Sequence, residues 1–491
     1  MPRLSEVFIT VGNPKYTFVK PQEYTRLLVA LETPGKGIII EGPSGIGKTT
    51  AVKNAIKEVK GSDDYIYLSA RSNSDIECIS AIEELKPFGT VIIDDFHRLP
   101  EEQQKKIADI LKVLADEGDA ENKLIVIGIN QAGQRLIDFG FDLATRIEII
   151  KFESNSNDKI RELIQLGETA LNIDIACKDS IINAAHGSFY MAQELANTAC
   201  MMAGLLETVS PKVSVNVRGK KVIQDVLNKL DPKFSPIVSK FATGPRFRKE
   251  GRAPYFHLLK WLGEAKGFHI TLSQAMNQHP EQKPGVTQII SKGFLKSFID
   301  SNDDLSSSFF MTGDLFIVQD PQLVFYLMYL DWENLRKQLG YLPFEKEKEY
   351  DFALSFAGEN RNIAMALKCE LEKNEIQVFY DEDSQGEILA ENVEKYLAPI
   401  YSSKSRYIVC LLGEMYPKKI WTMFERKQYE GKLTSFEVIP VLIPPAQLDA
   451  FSSLYNTGRI DFDLKNELTS ECNRIAKLLI EKLAAVRQKE E

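Results

Sequence analysis

Short apolar runs alternate with longer segments of helical periodicity along the first third of the chain. The runs lie at residues 37–41, 65–69, 90–94 and 123–128, and a fifth lies at residues 146–150. Each run is almost continuously apolar, which is typical of strands buried on both faces of a parallel sheet. The pattern therefore predicts an α/β domain in which crossover helices join parallel strands.

The middle of the chain has a different pattern. Apolar residues recur at helical spacing through residues 159–205, which predicts helices throughout this stretch. We expect these helices to form a lid over the first domain. Three short helices are predicted across residues 255–262, 271–276 and 285–295. Two β-like runs at residues 309–311 and 315–318 then flank Gly313, and this predicts a hairpin with a glycine turn.

The alternation of strands and helices returns after a charged stretch. Residues 331–348 are rich in charge and predict a linker, with a rigid helix and a flexible tether both left open. Beyond it, strands are predicted at residues 351–356, 377–380, 406–412 and 437–443, and helices at residues 361–373, 391–401 and 421–429. This order predicts a second, flavodoxin-like α/β domain.

Size and composition narrow the class of protein. A chain of 491 residues exceeds what one hydrophobic core supports, so several domains are expected. No apolar run approaches the roughly 18 residues that span a bilayer, and no secretion signal is visible, so no membrane partner is expected. The six cysteines lack metal-type spacing, which favours reduced thiols in the cytoplasm. The net charge of −9 disfavours non-specific polyanion binding.

The first predicted strand leads into a phosphate-binding loop. The pattern G-x-x-x-x-G-K-[ST] is complete in Gly42-Pro43-Ser44-Gly45-Ile46-Gly47-Lys48-Thr49, and Thr50 continues into a predicted helix. Loop N–H groups and the positive helix end would hold nucleotide phosphates, Lys48 would reach the β and γ oxygens, and Thr49 would bind Mg²⁺. A glycine turn that only starts a helix is the alternative.

Polar residues at the ends of later strands extend this candidate site. Asp94 is expected to bind Mg²⁺, and Asp95 to orient the attacking water, where its short side chain predicts slow hydrolysis. Asn130 is a candidate contact to the γ-phosphate or its water, although a strand-ending asparagine is also a common turn residue. Arg146 could sense a γ-phosphate in its own or a neighbouring subunit, or could be a surface arginine.

The order of these motifs, over residues 19–203, resembles AAA-like and STAND signalling ATPases. The resemblance implies ATP and Mg²⁺ as cofactors. These families often place an arginine or proline after the glycine of the last lid helix, and Gly187-Ser188-Phe189-Tyr190 has neither. The helices and hairpin that follow resemble the winged-helix module of STAND ATPases. Because few basic residues lie on its candidate recognition helix, packing or regulation is favoured over DNA reading or transcriptional control.

Two motifs in the last domain resemble those of TIR domains. They are Asp351-Phe352-Ala353-Leu354-Ser355-Phe356-Ala357-Gly358 and Trp421-Thr422-Met423-Phe424-Glu425. The resemblance implies cleavage of NAD⁺ with Glu425 as the catalytic carboxylate, and Trp421 lies one helical turn before it. It also implies that Phe356, Ala357 and Gly358 lie near the nicotinamide and Arg361 near the phosphates or ribose. Asp381 either contacts ribose or starts a loop.

The residue types in this domain agree with carboxylate chemistry. All five histidines precede the linker, so no Ser-His or Cys-His pair can form within the last domain. An oxocarbenium-like ribose needs a nearby anion, and nicotinamide leaves without protonation, so one glutamate can suffice. The alternatives are an exposed helix acid for Glu425 and a noncatalytic TIR scaffold for the domain.

The chain is thus predicted to be an α/β multidomain protein. We expect a P-loop ATPase core at residues 1–155, a helical lid and connector at 156–250, a winged-helix-like module at 251–330, a linker at 331–348 and a flavodoxin-like TIR domain at 349–491. The expected function is an ATP-regulated effector that self-associates through its TIR and ATPase domains and depletes NAD⁺ in bacterial antiphage defence. The trigger is left open between a phage protein and a nucleic acid.

Overall fold

The computed structural model describes most of the chain. The described residues are 1–43, 45–61, 63–128, 136–139, 141–246, 253–265, 267–318, 320–341, 348–381, 393–416, 437–446 and 458–485. Among the predicted site residues, Ser44, Asn130, Trp421 and Glu425 lie outside these ranges.

The first unit is built on a five-stranded parallel sheet. Its elements are α1 (Leu4–Val7), α2 (Tyr24–Glu32), β1 (Gly37–Glu41), α3 (Lys48–Lys60), β2 (Ile66–Ser69), α4 (Asn73–Ser80), β3 (Thr90–Asp94), α5 (Glu101–Glu117), β4 (Lys123–Gly128) and β5 (Ile147–Lys151), with 3-10 turns at Ile82–Leu85, Phe96–Arg98 and Phe141–Thr145. The strand order is β2-β3-β4-β1-β5. The five predicted strands are all present, within one residue at each end.

Burial of the central strand β1 on both faces explains its continuous apolar sequence. Ile38 and Ile40 pack into one hydrophobic cluster and Ile39 into another on the opposite face of the sheet. Ile39 pairs with Val126 on one side and with Ile149 on the other. Since successive side chains of a strand point to opposite faces, both faces need apolar residues.

The second unit is mainly helical, with one difference from the prediction. It contains α6 (Asn157–Leu171), β6 (Ile173–Ile175), α7 (Lys178–Ala185), α8 (Phe189–Met202), β7 (Val213–Val215) and the long α9 (Gly219–Thr243). Residues 159–205 are therefore not helical throughout, because Asn172 adopts a left-handed conformation with φ of 59° and ends α6. The residues that follow it pair with β7 in a two-stranded parallel ribbon.

The third unit joins helices to a small antiparallel sheet. Its elements are α10 (Pro254–Glu264), β8 (His269–Thr271), α11 (Leu272–Gln278), α12 (Lys283–Ser291), α13 (Phe294–Asp300), α14 (Asp303–Ser308), β9 (Phe309–Thr312), β10 (Leu315–Val318) and α15 (Pro321–Tyr329). The predicted hairpin is present, with Gly313 at a φ of 54° in its turn. Strand β8 completes the order β8-β10-β9 and was missed, because three residues are too few to show a period.

The predicted linker begins too early. Helix α16 (Trp332–Gln338) occupies its first half, with Leu335 and Arg336 buried. The hydroxyl of Tyr341 donates a hydrogen bond to the carbonyl of Ala242, at 3.0 Å. One face of this helix is buried, so residues 331–341 belong to the packed structure. The high charge of the stretch hid that face in the sequence.

The last unit contains a second parallel sheet. Its elements are β11 (Tyr350–Phe356), α17 (Arg361–Glu372), β12 (Val378–Phe379), α18 (Val393–Pro399), β13 (Ser405–Leu412), β14 (Val438–Leu442), β15 (Ile460–Asp461) and α19 (Leu468–Ala485), with a 3-10 turn at Gly358–Asn360 and a π-helical turn at Ile400–Lys404. The strand order β12-β11-β13-β14-β15 is that of a flavodoxin-like sheet. The α/β prediction with parallel sheets is confirmed. In the described part of the chain, no helix has both the length and the apolar character needed to cross a bilayer.

We expect Phe241→Ala to destabilise the protein by about 3–5 kcal/mol, because the ring is fully buried where α9 meets the hairpin. Its centroid lies 4.6 Å from that of Phe309 and 5.5 Å from that of Phe316. The measurement is the denaturant-induced unfolding transition. The exposed Val29→Ala should change stability by less than about 0.5 kcal/mol. Equal effects of the two substitutions would contradict this account of the core.

Candidate functional site

Three glycines allow the chain to turn tightly between β1 and α3. Gly42, Gly45 and Gly47 have φ values of 144°, 73° and 95°, which side-chain-bearing residues rarely adopt. Space is limiting as well. A Cβ on Gly42 would lie 2.3 Å from the carbonyl oxygen of Phe152, and a Cβ on Gly45 would lie 2.7 Å from the ring of Pro321. The loop is therefore enclosed by other parts of the chain.

Lys48 opens α3 and turns its ammonium group back into the loop. Its Nζ donates hydrogen bonds to the carbonyls of Gly42, at 2.8 Å, and Pro43, at 2.6 Å. Burial lowers the pKa of Lys48 to about 8, although Asp94 and Asp95 favour its charged form. The side chain lies where incoming phosphate oxygens would replace the two carbonyls as acceptors.

Asp94 lies at the carboxyl end of β3 and faces the start of α3. Its Oδ2 accepts hydrogen bonds from the hydroxyls of Thr49 and Tyr67, both at 2.8 Å. A hydroxyl and a carboxylate together with substrate phosphates are a common ligand set for Mg²⁺. Thr49 and Asp94 are thus brought together as predicted and fit a magnesium ion.

Asp95 follows in a left-handed conformation, with φ of 58°, and forms an ion pair with Arg71. The two parallel bonds measure 2.6 Å from Nε and 3.0 Å from Nη2 of the arginine. Burial by itself would raise the pKa of the Asp95 carboxyl, but Arg71 holds it below its ordinary value. Asp95 therefore stays ionised, and its carboxylate is already engaged by a guanidinium.

Two cavities flank the phosphate loop and share Gly45, Gly47 and Thr50 in their walls. The first, of about 440 Å³, is polar and is lined also by Lys48, Thr49, Tyr67, Ser69, Arg71, Asp94, Asp95 and His97. The second, of about 240 Å³, is lined largely by apolar side chains, among them Ile9, Val19, Leu163 and Phe189. Phosphates with Mg²⁺ suit the polar cavity, and a base suits the apolar one.

The lid reaches the phosphate loop through main-chain and side-chain contacts. The amide N–H of Tyr190 and the hydroxyl of Ser188 both donate to the carbonyl of Gly45, at 3.2 and 3.3 Å. Asn155 Nδ2 donates to the carbonyl of Ile46, at 3.3 Å. The lid thus contacts the loop although it lacks the arginine or proline of the resembling families.

The sequence did not indicate several residues that line the site but lie far from the phosphate loop along the chain. Tyr67 lies in β2 and Arg71 follows that strand, and the position of Arg71 at the carboxyl end of a parallel strand was a usable signal. Residues 9–21 and α8 form much of the wall of the apolar cavity, and apart from the phosphate-loop residues no binding motif marks that wall. The two segments meet because the amino-terminal segment packs on α8, where Gln193 and Asn197 donate hydrogen bonds to Thr17 and Phe8.

Arg146 is not near this site in its own chain. It precedes β5, and its carbonyl accepts from the N–H of Gly37 at the amino end of β1, whereas the phosphate loop follows the carboxyl end of β1. Its guanidinium pairs with Asp116 at 2.8 Å and with Asp142 at 2.9 Å. The expectation of a contact to the nucleotide of the same subunit is therefore wrong, because the strand places Arg146 at the opposite edge of the sheet.

A second cluster of predicted site residues forms at the carboxyl edge of the last sheet. Phe356 stacks on Tyr380, with ring centroids 5.6 Å apart and planes inclined by 12°. The guanidinium of Arg361 lies 5.4 Å from the Phe356 ring centroid and pairs with Asp381 at 3.2 Å. Ala357 is buried and Gly358 is exposed. The structure therefore brings Phe356, Arg361 and Asp381 into contact.

Residues 38–155 match the family described as "ATPase family associated with various cellular activities (AAA)". The match covers the phosphate loop, Asp94 and Asp95. The chain contains an AAA P-loop ATPase domain. This confirms the predicted P-loop core and supports nucleotide and Mg²⁺ binding at the site described above.

Several solved structures are similar to the chain at low identity. The ORC1 protein of Aeropyrum pernix in complex with DNA is 14% identical, with a TM-score of 0.37 over 68% of this chain and 95% of that chain. The ORC2 protein of the same organism is 13% identical, with a TM-score of 0.38 over 68% and 98%. The RuvB Holliday junction branch migration motor of Thermotoga maritima is 15% identical, with a TM-score of 0.34 over 67% and 100%. Similarities at this level carry no conclusion about function.

One curated relative matches a limited part of the chain. It is the 3′ cyclic ADP-D-ribose synthase AaTIR of Aquimarina amphilecti, 38% identical over 101 residues, which is 21% of this chain. The chain spans 30% of the length of that relative.

We predict that nucleotide affinity falls by up to tenfold per pH unit as the pH rises above about 8. The pKa of Lys48 in the nucleotide-free site is about 8, and nearby phosphates favour the charged ammonium. Binding above that pH must therefore take up a proton, whereas below it the lysine is already charged. Titration calorimetry with Mg-ATP between about pH 7 and pH 9.5 measures the slope.

Lys48→Met is the matched control, because it removes the titrating group. Its affinity should be weak and should lose the fall above about pH 8. A wild-type affinity that stays constant across this range would mean that Lys48 remains charged throughout.

Proposed function

We propose that this chain is an ATP-regulated effector whose carboxyl-terminal unit is a TIR domain that cleaves the nicotinamide–ribose bond of NAD⁺. Residues 251–330 act as a winged-helix-like regulatory module. Cleavage requires self-association of the chain. Depletion of NAD⁺ by such a switch fits bacterial antiphage defence.

The observation that carries this proposal is the convergence of predicted substrate residues at one sheet edge. Phe356, Arg361 and Asp381 come from two adjacent strands and the helix between them, and lie within contact distance. In flavodoxin-like sheets, ligands bind beyond the carboxyl ends of the strands. The partial match to a cyclic ADP-ribose synthase supports NAD⁺ as the ligand class.

The residue types suit a dinucleotide that carries both a flat cationic ring and phosphates. The half-buried ring of Phe356, over which Arg361 lies, would offer an aromatic surface to a pyridinium once Arg361 turns to the substrate. Arg361 offers a fork of N–H donors for phosphate, once it exchanges Asp381 for the substrate. Glu425, at the position that matches the TIR motif, is the proposed anion beside the developing positive charge on ribose.

The proposed step needs little proton transfer. The bond between ribose C1′ and the nicotinamide ring nitrogen breaks, and its electron pair neutralises the pyridinium. The oxocarbenium-like ribose then accepts water, which gives ADP-ribose, or a hydroxyl of the same molecule, which gives a cyclic product. Either addition releases one proton. Glu425 would stabilise the cationic transition state in both cases.

Contacts around the phosphate loop support control by nucleotide. Gly45 is touched by Ser188 of the lid and by Pro321, the first residue of α15. The ring of His97, beside the Asp94–Asp95 pair, lies 5.7 Å from that of Phe310 on the hairpin. A change of ligand at the loop would therefore act directly on the lid and on the module that follows it.

Further contacts join this module to the carboxyl-terminal unit. Gln288 of α12 is buried, and its Nε2 donates to the carbonyl of Ile376, at 3.0 Å. Lys292 pairs with Glu372 at the end of α17, at 3.1 Å. We propose that this interface holds the carboxyl-terminal unit in a resting position and loosens on activation.

Glu425→Ala should reduce nicotinamide release by about 100-fold or more, since one electrostatic stabiliser of a transition state is commonly worth that factor. The assay measures nicotinamide from NAD⁺ with full-length protein and Mg-ATP, under conditions in which the chain self-associates. Nucleotide binding should stay unchanged. The exposed Glu467→Ala is the matched control and should retain activity.

An unchanged rate in Glu425→Ala would refute the catalytic assignment. Absence of nicotinamide release from associated wild-type protein would instead favour the noncatalytic TIR scaffold. Lys48→Ala should prevent activation while leaving the chemistry itself intact. Chromatography of the products would then distinguish hydrolysis from cyclisation.

Lys292→Glu should raise the basal rate of NAD⁺ cleavage about two- to fivefold, because it replaces an attraction to Glu372 with repulsion at the proposed resting interface. Combining it with Glu372→Lys should lower the rate again. The rescue will be partial, since Glu372 also pairs with Lys368, at 3.6 Å. A basal rate insensitive to both substitutions would exclude a restraining role for this interface.

A further inference from the structure

The apolar cavity beside the phosphate loop contains one buried amide whose orientation is determined by its neighbours. Gln193 on α8 is 4% exposed, and Thr17 beside it is 1% exposed. Both side chains line the cavity. The Thr17 hydroxyl donates to the carbonyl of Val7, at 2.9 Å. Gln193 Nε2 lies 2.7 Å from Thr17 Oγ1.

These two hydrogen bonds allow only one orientation of the Gln193 amide. A carbonyl can only accept, so the single hydroxyl hydrogen of Thr17 is committed to Val7. The oxygen of Thr17 can then only accept, and Gln193 must present its NH₂ group to it. The amide oxygen Oε1 is therefore directed away from Thr17.

Gln193 Oε1 is a buried acceptor in need of a donor. Within the part of the chain that the structure describes, it receives no hydrogen bond. An unsatisfied buried acceptor destabilises the folded protein, so native structures usually pair such atoms with protein, water or ligand. Because Gln193 lines the cavity, a bound molecule can provide the missing hydrogen.

We infer that Gln193 selects an adenine base at this site by accepting a hydrogen bond from its exocyclic amine. The inference rests on the part of the proposed function that assigns a nucleotide to the phosphate loop, and it does not depend on NAD⁺ cleavage. Adenine carries an amine donor at the six-position, whereas guanine carries a carbonyl acceptor there. Oε1 and the guanine carbonyl are both acceptors and have no hydrogen to share, so a guanine nucleotide held in the same pose as ATP leaves Oε1 unpaired.

Other polar groups in the wall do not make the same distinction. The hydroxyl-bearing side chains of Thr10, Thr50 and Tyr190 also line the cavity, and a hydroxyl can both donate and accept. The remaining side chains, such as Val19, Leu163 and Phe189, offer apolar contact that suits any purine. Thr17 acts as a positioning residue, because its hydroxyl determines which end of the Gln193 amide faces the ligand.

The test measures dissociation constants of the full chain for three Mg-nucleoside triphosphates by displacement of a fluorescent nucleotide. ATP carries an amine at the six-position of the purine, inosine triphosphate carries an oxygen, and purine riboside triphosphate carries hydrogen. Wild type should bind ATP about five- to tenfold more tightly than purine riboside triphosphate. It should bind inosine triphosphate more weakly still.

Two substitutions test separately the acceptor atom of Gln193 and the orientation that Thr17 gives it. Gln193→Leu should abolish the preference for ATP over purine riboside triphosphate by weakening ATP alone. Thr17→Val should mainly improve inosine triphosphate relative to ATP, because the freed amide can rotate and donate. Unchanged binding of purine riboside triphosphate reports that each variant is folded. Gln224→Leu, at an exposed amide on α9, should behave as wild type.

The outcomes distinguish this inference from the function on which it rests. If wild type binds ATP and both variants keep its base preference, the role of Gln193 is wrong and the nucleotide site stands. If wild type binds none of the three nucleotides, both assignments fall. Loss of purine riboside triphosphate binding in Gln193→Leu, with an unaltered ratio to ATP, would assign Gln193 to packing of the cavity wall and also overturn the inference.

Discussion

The close packing of other chain segments around the phosphate loop is the constraint on which this molecule depends. The loop bears glycine at Gly42, Gly45 and Gly47, where a Cβ would approach Phe152, Pro321 or Phe189 at 2.3 to 3.1 Å. A loop that only bound phosphate would need glycines for their backbone conformations. In this loop the glycines are also needed because a side chain would collide with the chain at residue 152, just after β5, with the lid or with α15. The residues that would bind the ligand therefore also form the packing contacts with the neighbouring units.

That shared position explains how the polar and apolar cavities can serve one nucleotide. Gly45, Gly47 and Thr50 form the partition between them. On the polar side, Asp94 gathers the hydroxyls of Thr49 and Tyr67, and Arg71 engages Asp95. On the apolar side, the wall is built by the segment before α2 and by α8 of the lid. A nucleotide that fills both cavities would hold the amino-terminal segment, the sheet and the lid together.

The carboxyl-terminal unit also gathers its candidate site residues at the carboxyl edge of a parallel sheet, and part of that site lies outside the described residues. The stacked pair Phe356–Tyr380 and the ion pair Arg361–Asp381 are formed from the ends of two neighbouring strands. Parallel strands place their carboxyl ends at one edge, so residues 20 or more positions apart in sequence meet there. Glu425 and Trp421 lie outside the described residues, and their place in this cluster stays a prediction. The contacts of Gln288 and Lys292 link this unit to the module before it.

The sequence alone determined the elements whose signals are local. A strand buried on both faces must be apolar along its length, and a loop around phosphate needs glycines, a lysine and a threonine at set spacing, so β1 and the phosphate loop could be predicted. The sequence did not determine long-range packing. Arg146 lies at the opposite sheet edge, and the charged residues 331–341 conceal a packed helix. Only the tertiary structure could pair Arg71 with Asp95 or orient Gln193 through Thr17, 176 positions away in sequence. Such pairs depend on how the helices pack on the sheets, and the periodicity of apolar residues along the sequence does not specify that packing.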